Sequence, residues 1–379
     1  MKVLSLFDGM SCGQIALNRL GIKVDTYYAS EIDKYAMEIT QKNFPKTIQI
    51  GDVCAVRGED YQDVDLILAG SPCQGFSFAG KQLAFDDPRS ALFFEFIRLL
   101  KEIKPKYFLL ENVKMKKDYL QIISEQVSAC YPEIPFGIEP IFINSSLVSA
   151  QSRQRYYWTN IPNITQPEER GIVLRDILEE DPGENPVKDT ARNQRHYKNL
   201  DEKSLCMTAT MYKGAGNNGM TIVPQPIIDD NLDKMTTKDG KAYALTTTYG
   251  AAGAKDSLEK KRRSMIPTNK IAIGAYRARS VDENGNRVDW KETKPKQMLE
   301  VRKDNKSNSL SSVQKDNVLT KDQVYWRKLT PLECERLQTV PDNYTNYVSN
   351  TQRYKMLGNG WTIEVIAHIF KNMEVENDS

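Results

Sequence analysis

The chain has 379 residues, 27% of them charged and 40% hydrophobic, which suffices for a sizeable core and two or three compact units and excludes a small disulfide-stapled scaffold. With 52 basic against 50 acidic residues the net charge is +2, so any surface for a polyanion has to be a local patch. Six cysteines without a Cys-x-x-Cys pair and only two histidines, His196 and His368, support neither a zinc site nor a disulfide framework. The apolar start is too short for a signal peptide and no stretch reaches membrane-spanning length, so a reducing, cytoplasmic setting is expected.

Val3 to Phe7 reads as a short strand that runs into Asp8-Gly9-Met10-Ser11-Cys12-Gly13 and then an amphipathic segment with Ile15, Ala16, Leu17 and Leu20. Strand, glycine turn and helix open a nucleotide-binding unit, but the Gly-x-Gly-x-x-Gly fingerprint of pyrophosphate binders is missing. Gly9 and Gly13 therefore suit a nucleoside cofactor without phosphates, which needs only close backbone approach. The second strand, Thr26 to Ser30, ends at Glu31, where such folds set an acid against ribose hydroxyls. A helix from Lys34 to Asn43 follows. Ile48-Gln49-Ile50 then leads into Gly51-Asp52-Val53, with Asp52 placed to accept from an adenine amino group.

The apolar run Val64 to Ala69 closes on Gly70-Ser71-Pro72-Cys73 and reads as a buried parallel strand with Cys73 at its carboxyl end. Taken alone, a cysteine is more often a small buried apolar residue than a nucleophile. Its neighbours change that balance. A helix opening at Arg89-Ser90-Ala91 runs to Lys104 and stops at Pro105, and a fifth strand, Tyr107 to Leu110, ends in Glu111-Asn112-Val113. Successive strand ends thus present a glycine turn, Glu31, Asp52, Cys73 and Glu111 on one edge of one sheet, the edge where chemistry collects in open α/β folds. Ile138 to Ile143 and Arg155 to Trp158 read as two more strands. Between them Gln151-Ser152-Arg153-Gln154-Arg155 sets two arginines at alternate positions, facing one oxygen or phosphate acceptor.

From about Ile161 to Val324 the chain turns polar and weakly periodic. It holds an echo: Lys203 before Met207-Thr208-Ala209-Thr210, Lys241 before Leu245-Thr246-Thr247-Thr248, and Lys306 before Leu310-Ser311-Ser312-Val313, each expected to form a strand. The glycine-rich stretch Gly214 to Gly219 and the basic cluster Lys260 to Arg263 lie here as well. Thr330 as N-cap, Pro331 at the first position and Glu333 predict a helix carrying Leu337. Met356-Leu357-Gly358-Asn359-Gly360-Trp361-Thr362 is expected to open the last amphipathic helix, with Ile363, Ile366, Ala367 and Phe370.

In order along the chain, Phe7 to Gly13, Glu31, Asp52, Pro72-Cys73-Gln74, Glu111-Asn112-Val113, Gln151-x-Arg153-x-Arg155, Arg327-x-Leu329-Thr330-x-x-Glu333-x-x-Arg336-Leu337-Gln338 and Gly358-Asn359-Gly360 resemble the successive motifs of the DNA (cytosine-5) methyltransferases. The likeness covers roughly residues 1–165 and 326–374. It is of bacterial or phage type, although Trp361 and the lead-in Ser149-Ala150-Gln151 look more like the animal de novo branch. It implies an α/β, Rossmann-like S-adenosylmethionine-dependent methyltransferase fold: a catalytic and cofactor-binding domain over 1–165, completed by 326–379, and a smaller, mainly β or irregular target-recognition domain over 166–325.

The resemblance further implies methyl transfer from S-adenosylmethionine to carbon 5 of a flipped-out cytosine in double-stranded DNA through a covalent Cys73 adduct, since a base cannot reach such a pocket inside a duplex. Glu111 would donate a proton to ring nitrogen 3, and Arg155, with Arg153 behind it or in its place, would hold the ring oxygen. Cofactor contacts would come from Phe7, Asp8, Gly9, Gly13, Glu31, Ile32, Asp52, Val53, Ser71, Pro72, Leu92, Asn359, Gly360 and Trp361. Duplex DNA bound by a monomer, and a restriction endonuclease cutting the same site, are the implied partners. The alternative is a tRNA cytosine-5 methyltransferase; an exocyclic-amino methyltransferase is disfavoured because Pro72-Cys73-Gln74 replaces the stacking aromatic that chemistry needs.

Overall fold

The computed structural model describes residues 1–71, 91–179, 182, 187, 190–214, 219–225, 272–279, 296–301, 318–320 and 325–374. The chain divides into two compact units, one of residues 1–183, 189–223 and 328–379, the other of 184–188 and 224–327.

The larger unit is built on a seven-stranded sheet in the order β3-β2-β1-β4-β5-β7-β6. Its strands are β1 (Lys2–Leu6), β2 (Thr26–Ser30), β3 (Ile48–Gln49), β4 (Leu66–Ala69), β5 (Tyr107–Val113), β6 (Ile141–Asn144) and β7 (Gln154–Thr159). β1 to β5 pair in parallel and β7 is antiparallel to both β5 and β6, so the first five strands end on one edge, as their sequence predicts. Strand order reverses beside β1, where β2 lies on one side and β4 on the other; ligand crevices open at such a reversal.

Both faces of the sheet are covered, which explains why β4 reads as a continuous apolar run. Leu66 and Leu68 face one core, shared with Val3 and with Leu17 of helix α1 (Cys12–Arg19). Ile67 and Ala69 face the other, with Phe93, Phe96 and Leu100 of α3 (Ala91–Ile103) and Ile123 of α4 (Lys117–Ser128). Each fully buried Val, Leu, Ile or Phe side chain among these contributes about 1.5–3 kcal/mol of hydrophobic stabilisation. Helix α2 (Lys34–Asn43) starts at Asp33, whose carboxylate accepts from the Tyr35 N–H.

A one-turn helix α5 (Ala191–Gln194) precedes three C-terminal helices, α6 (Pro331–Leu337), α7 (Asn350–Asn359) and α8 (Ile363–Phe370). The predicted cap of α6 is present: the Glu333 N–H donates to the Thr330 hydroxyl, and the Thr330 N–H donates to the Glu333 carboxylate at 2.8 Å. Gly358 and Asn359 fall at the end of α7, a helix the sequence reading did not anticipate, rather than in a lead-in to α8. Helix α8 packs on α1.

The boundary expected at residue 166 falls inside the larger unit, which continues to Val223 apart from a short excursion. The first copy of the echo lies there too and is not a strand: Met207 and Thr208 are irregular, and Ala209-Thr210 is a turn. Its Lys203 instead donates to the carbonyls of Ser146, Ser149 and Ile172. The second and third copies and the Lys260 to Arg263 cluster lie outside the described residues, as do positions 215–218 of the glycine-rich stretch. Strands β8 (Ile222–Gln225) and β12 (Tyr325–Lys328) pair with each other. The smaller unit contains an antiparallel sheet in which β9 (Ala272–Arg279) lies between β10 (Lys296–Val301) and β11 (Val318–Thr320). Among the described residues, no helix is long and apolar enough to cross a membrane.

Candidate active site at the carboxyl edge of the sheet

A cleft of about 620 Å³ opens along the carboxyl ends of β1, β2, β4 and β5. Its floor is the turn after β1. Phe7, Gly9 and Ser11 all take left-handed backbone conformations, with φ of 57, 59 and 63°. Glycine does this freely, whereas the other two cost on the order of 1–2 kcal/mol each, so hydrogen bonds have to hold the turn. They converge on Asp8: the Ser11 hydroxyl donates to Oδ2 and the Tyr27 hydroxyl to Oδ1, both at 2.8 Å. Burial pushes the Asp8 carboxyl up to about 6, against the opposing pull of its hydroxyl donors.

Glu31 ties this turn to the end of β2. Its Oε2 accepts from the Gly9 N–H, and its Oε1 from the N–H groups of Ile32 and Asp33, each at 2.8 Å. Ile32 lines the cleft while 76% exposed, an apolar shelf beside a carboxylate. Asp52 is exposed at the cleft and caps a short turn through the Cys54 N–H; buried Val53 follows it. Ser71 and Leu92 contribute further wall, and the Ser71 hydroxyl is buried with no hydrogen-bond partner among the described residues. Asn359, Gly360 and Trp361 close the cleft from the end of α7. Gly13 is the exception among the expected cofactor residues. It does not line the cleft; a Cβ there would stand 2.3 Å from Leu68 Cδ1, so this glycine lets α1 sit down on β4. Pro72 and Cys73 lie outside the described residues, just beyond the end of β4.

Glu111, on β5 and only 8% exposed, anchors the other end of the cleft. Arg155 Nε lies 2.8 Å from its Oε1, and the Trp361 indole N–H donates to its Oε2 at 3.1 Å. Arg153 and Arg155 both reach the cleft wall but do not converge on one acceptor. β7 begins at Gln154, so Arg153 stands before the regular alternation. Its guanidinium is 2% exposed and donates to the carbonyls of Met207 (2.9 Å), Gly358 (3.3 Å) and Gly360 (2.9 Å). Arg155 alone meets the acid.

One contributor escaped the sequence reading, and two motif residues have roles it did not assign. Lys355 of α7 forms an ion pair with Asp33 at 2.7 Å on the cleft wall; a lysine on a polar helix gives no signal of this. Gly358 approaches the backbone of Thr208 so closely that a Cβ would fall 2.2 Å from its carbonyl oxygen. Cys12 also faces the cleft, but burial pushes its thiol up to about 12, and its sulfur accepts the Trp361 N–H at 3.4 Å. It is packing and not a second nucleophile.

An open α/β sheet with its cleft at the strand reversal, lined by Glu31, Asp52 and Glu111, defines a methyltransferase of the S-adenosylmethionine-dependent fold. The fold is shared with the Entamoeba histolytica methyltransferase EhMeth, at a TM-score of 0.62 and 16% identity over 99% of each chain. The family model of the C-5 cytosine-specific DNA methylases matches residues 1–375, and the chain belongs to that family as a DNA (cytosine-5) methyltransferase. Among relatives, the orphan methyltransferase M.SPRI of Bacillus phage SPR is 26% identical over 98% of this chain and 97% of its own length. The type II methyltransferase M.BanI of Aneurinibacillus aneurinilyticus is 27% identical over 100% and 96%.

Proposed function

We propose that the protein transfers a methyl group from S-adenosylmethionine to carbon 5 of a cytosine flipped out of double-stranded DNA, through a covalent bond to Cys73. The observation that carries this is the Glu111 carboxyl, held between Arg155 and Trp361 in the same cleft as Ser71, two residues before Cys73. The cleft fits the cofactor: its volume lies in the range that encloses small ligands. Glu31 stands beside the apolar shelf of Ile32, and the buried Ser71 hydroxyl, which has no partner among the described residues, can take one from a ligand. Glu31 would hold the ribose hydroxyls, Asp52 the adenine amino group, and Ile32 the face of the adenine. S-adenosylmethionine supplies an activated methyl group when bound.

Carbon 5 belongs to an aromatic ring and is a poor nucleophile until that aromaticity is broken. The Cys73 thiolate adds to carbon 6, forming a carbon–sulfur bond while ring electrons move toward nitrogen 3. Glu111 delivers a proton to nitrogen 3, and Arg155 offers donors to the ring oxygen, where negative charge also gathers. After carbon 5 is methylated, its proton leaves to solvent, the carbon–sulfur bond breaks to return Cys73 as the thiolate, and nitrogen 3 gives its proton back to Glu111, which restores the ring. Arg153 holds the wall of the cleft together. Recognition of the duplex is assigned to the 166–325 segment, with phosphate contacts positioning it and base contacts selecting the site.

Bisulfite sequencing of DNA and RNA from cells expressing the chain tests this reading. Methylcytosine in DNA at one recurring sequence is expected; methylation confined to RNA overturns the substrate, and methylation scattered over unrelated sequences overturns the recognition role. A duplex containing 5-fluorocytosine should trap the wild-type protein as a denaturant-stable adduct, and an undiminished adduct with Cys73→Ser would remove Cys73 from the reaction.

A further inference from the structure

We propose that Trp361 is a positioning residue for Glu111, its indole N–H setting the plane of the carboxyl that protonates the base; this rests on the function proposed above. The terminal torsion of a glutamate is broad and roughly two-fold, so a carboxyl that must meet nitrogen 3 edge-on has to be fixed by its partners. Arg155 Nε stands 2.8 Å from Glu111 Oε1 as an ion pair, and the indole N–H donates a hydrogen bond to Oε2 at 3.1 Å. In the reaction Arg155 also has to serve the ring oxygen of the base. The indole has a single donor and keeps it on Glu111 throughout.

Trp361 is itself held for this task. Only 9% exposed, it follows Gly360, whose carbonyl accepts from Arg153 at 2.9 Å and from the Gln338 amide at 3.0 Å; its own backbone N–H reaches the Cys12 sulfur. On its other side lies Gly70. A Cβ at Gly70 would stand 3.0 Å from the indole nitrogen and 3.2 Å from Cζ2, so the glycine gives the ring its seat. Trp361 therefore fills the space between the residue that leads toward the nucleophile and the acid on β5. A wall residue for the cofactor alone needs the ring; a positioning residue needs the N–H.

Trp361→Phe keeps most of the ring and removes the donor. On a cytosine duplex its turnover should fall at least tenfold, while the dissociation constant for S-adenosylmethionine, by calorimetry, stays within twofold. The discriminating substrate is a duplex with 5-azacytosine, in which a ring nitrogen replaces carbon 5. That substitution makes carbon 6 electrophilic enough to take the Cys73 thiolate with less help from a proton on nitrogen 3, so adduct formation by Trp361→Phe should stay within about threefold of wild type. Turnover within twofold of wild type overturns the proposal. So does cofactor affinity falling by the same factor as turnover, or adduct formation slowed as much as turnover. Gly70→Ala, which crowds the indole without changing it, should show the same split and carries the test if Trp361→Phe does not fold. Absence of wild-type turnover and of wild-type adduct overturns the parent function, and the role of Trp361 with it.

Discussion

Replacing Arg153 with alanine separates two roles that one arginine can play at this site. The guanidinium is buried and its N–H groups reach three backbone carbonyls, those of Met207 and Gly360 at 2.9 Å and that of Gly358 at 3.3 Å. Hydrogen bonds from a charged donor contribute about 1.5–3 kcal/mol each, and a buried carbonyl left without a donor costs about 1–3 kcal/mol. The terms are not additive, and a loss of about 4 kcal/mol is the expected total, a large share of the 5–15 kcal/mol typical of a folded domain. With a urea slope of about 3 kcal/mol per molar, the unfolding midpoint should drop by more than 1 M. Arg153→Lys keeps the charge but concentrates its donors on one compact head, so about half of that loss is expected. Tryptophan fluorescence in urea gives the midpoint, and methyl transfer to a duplex below the transition gives the activity. An Arg153→Ala protein with an unchanged midpoint and slope that has lost only turnover would show that the guanidinium acts on the base, and the clamp reading would be wrong.

Two further outcomes follow from the floor of the cleft. Glu31→Ala should weaken S-adenosylmethionine binding by about 1–3 kcal/mol through loss of a charged acceptor, and unchanged calorimetric affinity would count against the assignment. Asp8 has a carboxyl raised from 3.8 to about 6 by burial, so the folded protein binds more protons here than the unfolded chain between those values. The stability of wild type relative to Asp8→Asn should therefore fall by roughly 2–3 kcal/mol as the pH rises from 4 to 7 and then level off. Urea midpoints for both proteins at pH 4.5, 5.5, 7 and 8 check this, and a difference that does not change with pH refutes it.

The strands were readable because each obeys a local rule. β4 is a short apolar run stopped by Gly70, and α6 carries its cap in Thr330, Pro331 and Glu333. Placing Glu31, Asp52 and Glu111 on one edge followed from the parallel pairing those runs imply. Helix α7 was missed because its sequence is mostly polar: it buries Arg353 by pairing it with Glu335 of α6 at 3.0 Å and by hydrogen bonds to Thr345 and Asn346, partnerships that no periodicity encodes. The same holds for the acid's indole donor, which comes from 250 residues further along the chain, and for the pair of Asp33 with Lys355, 322 residues apart. The backbone partners of Arg153 were not legible for a related reason. Alternation along a strand gives the side of a side chain, but the carbonyls it reaches belong to segments whose approach only the folded chain defines.

The packing of α8 on α1 has a consequence for the order of synthesis. Arg19 at the end of α1 pairs with Glu364 of α8, 345 residues later. At about 5–20 residues per second, the ribosome delivers α8 on the order of half a minute after α1. Until then the α1 side of the sheet lacks its cover, and Glu111 waits for Trp361 as well. A nascent chain thus carries Glu31, Asp52 and Glu111 long before Asn359, Gly360 and Trp361, and the cleft is complete only after the C-terminal helices have emerged.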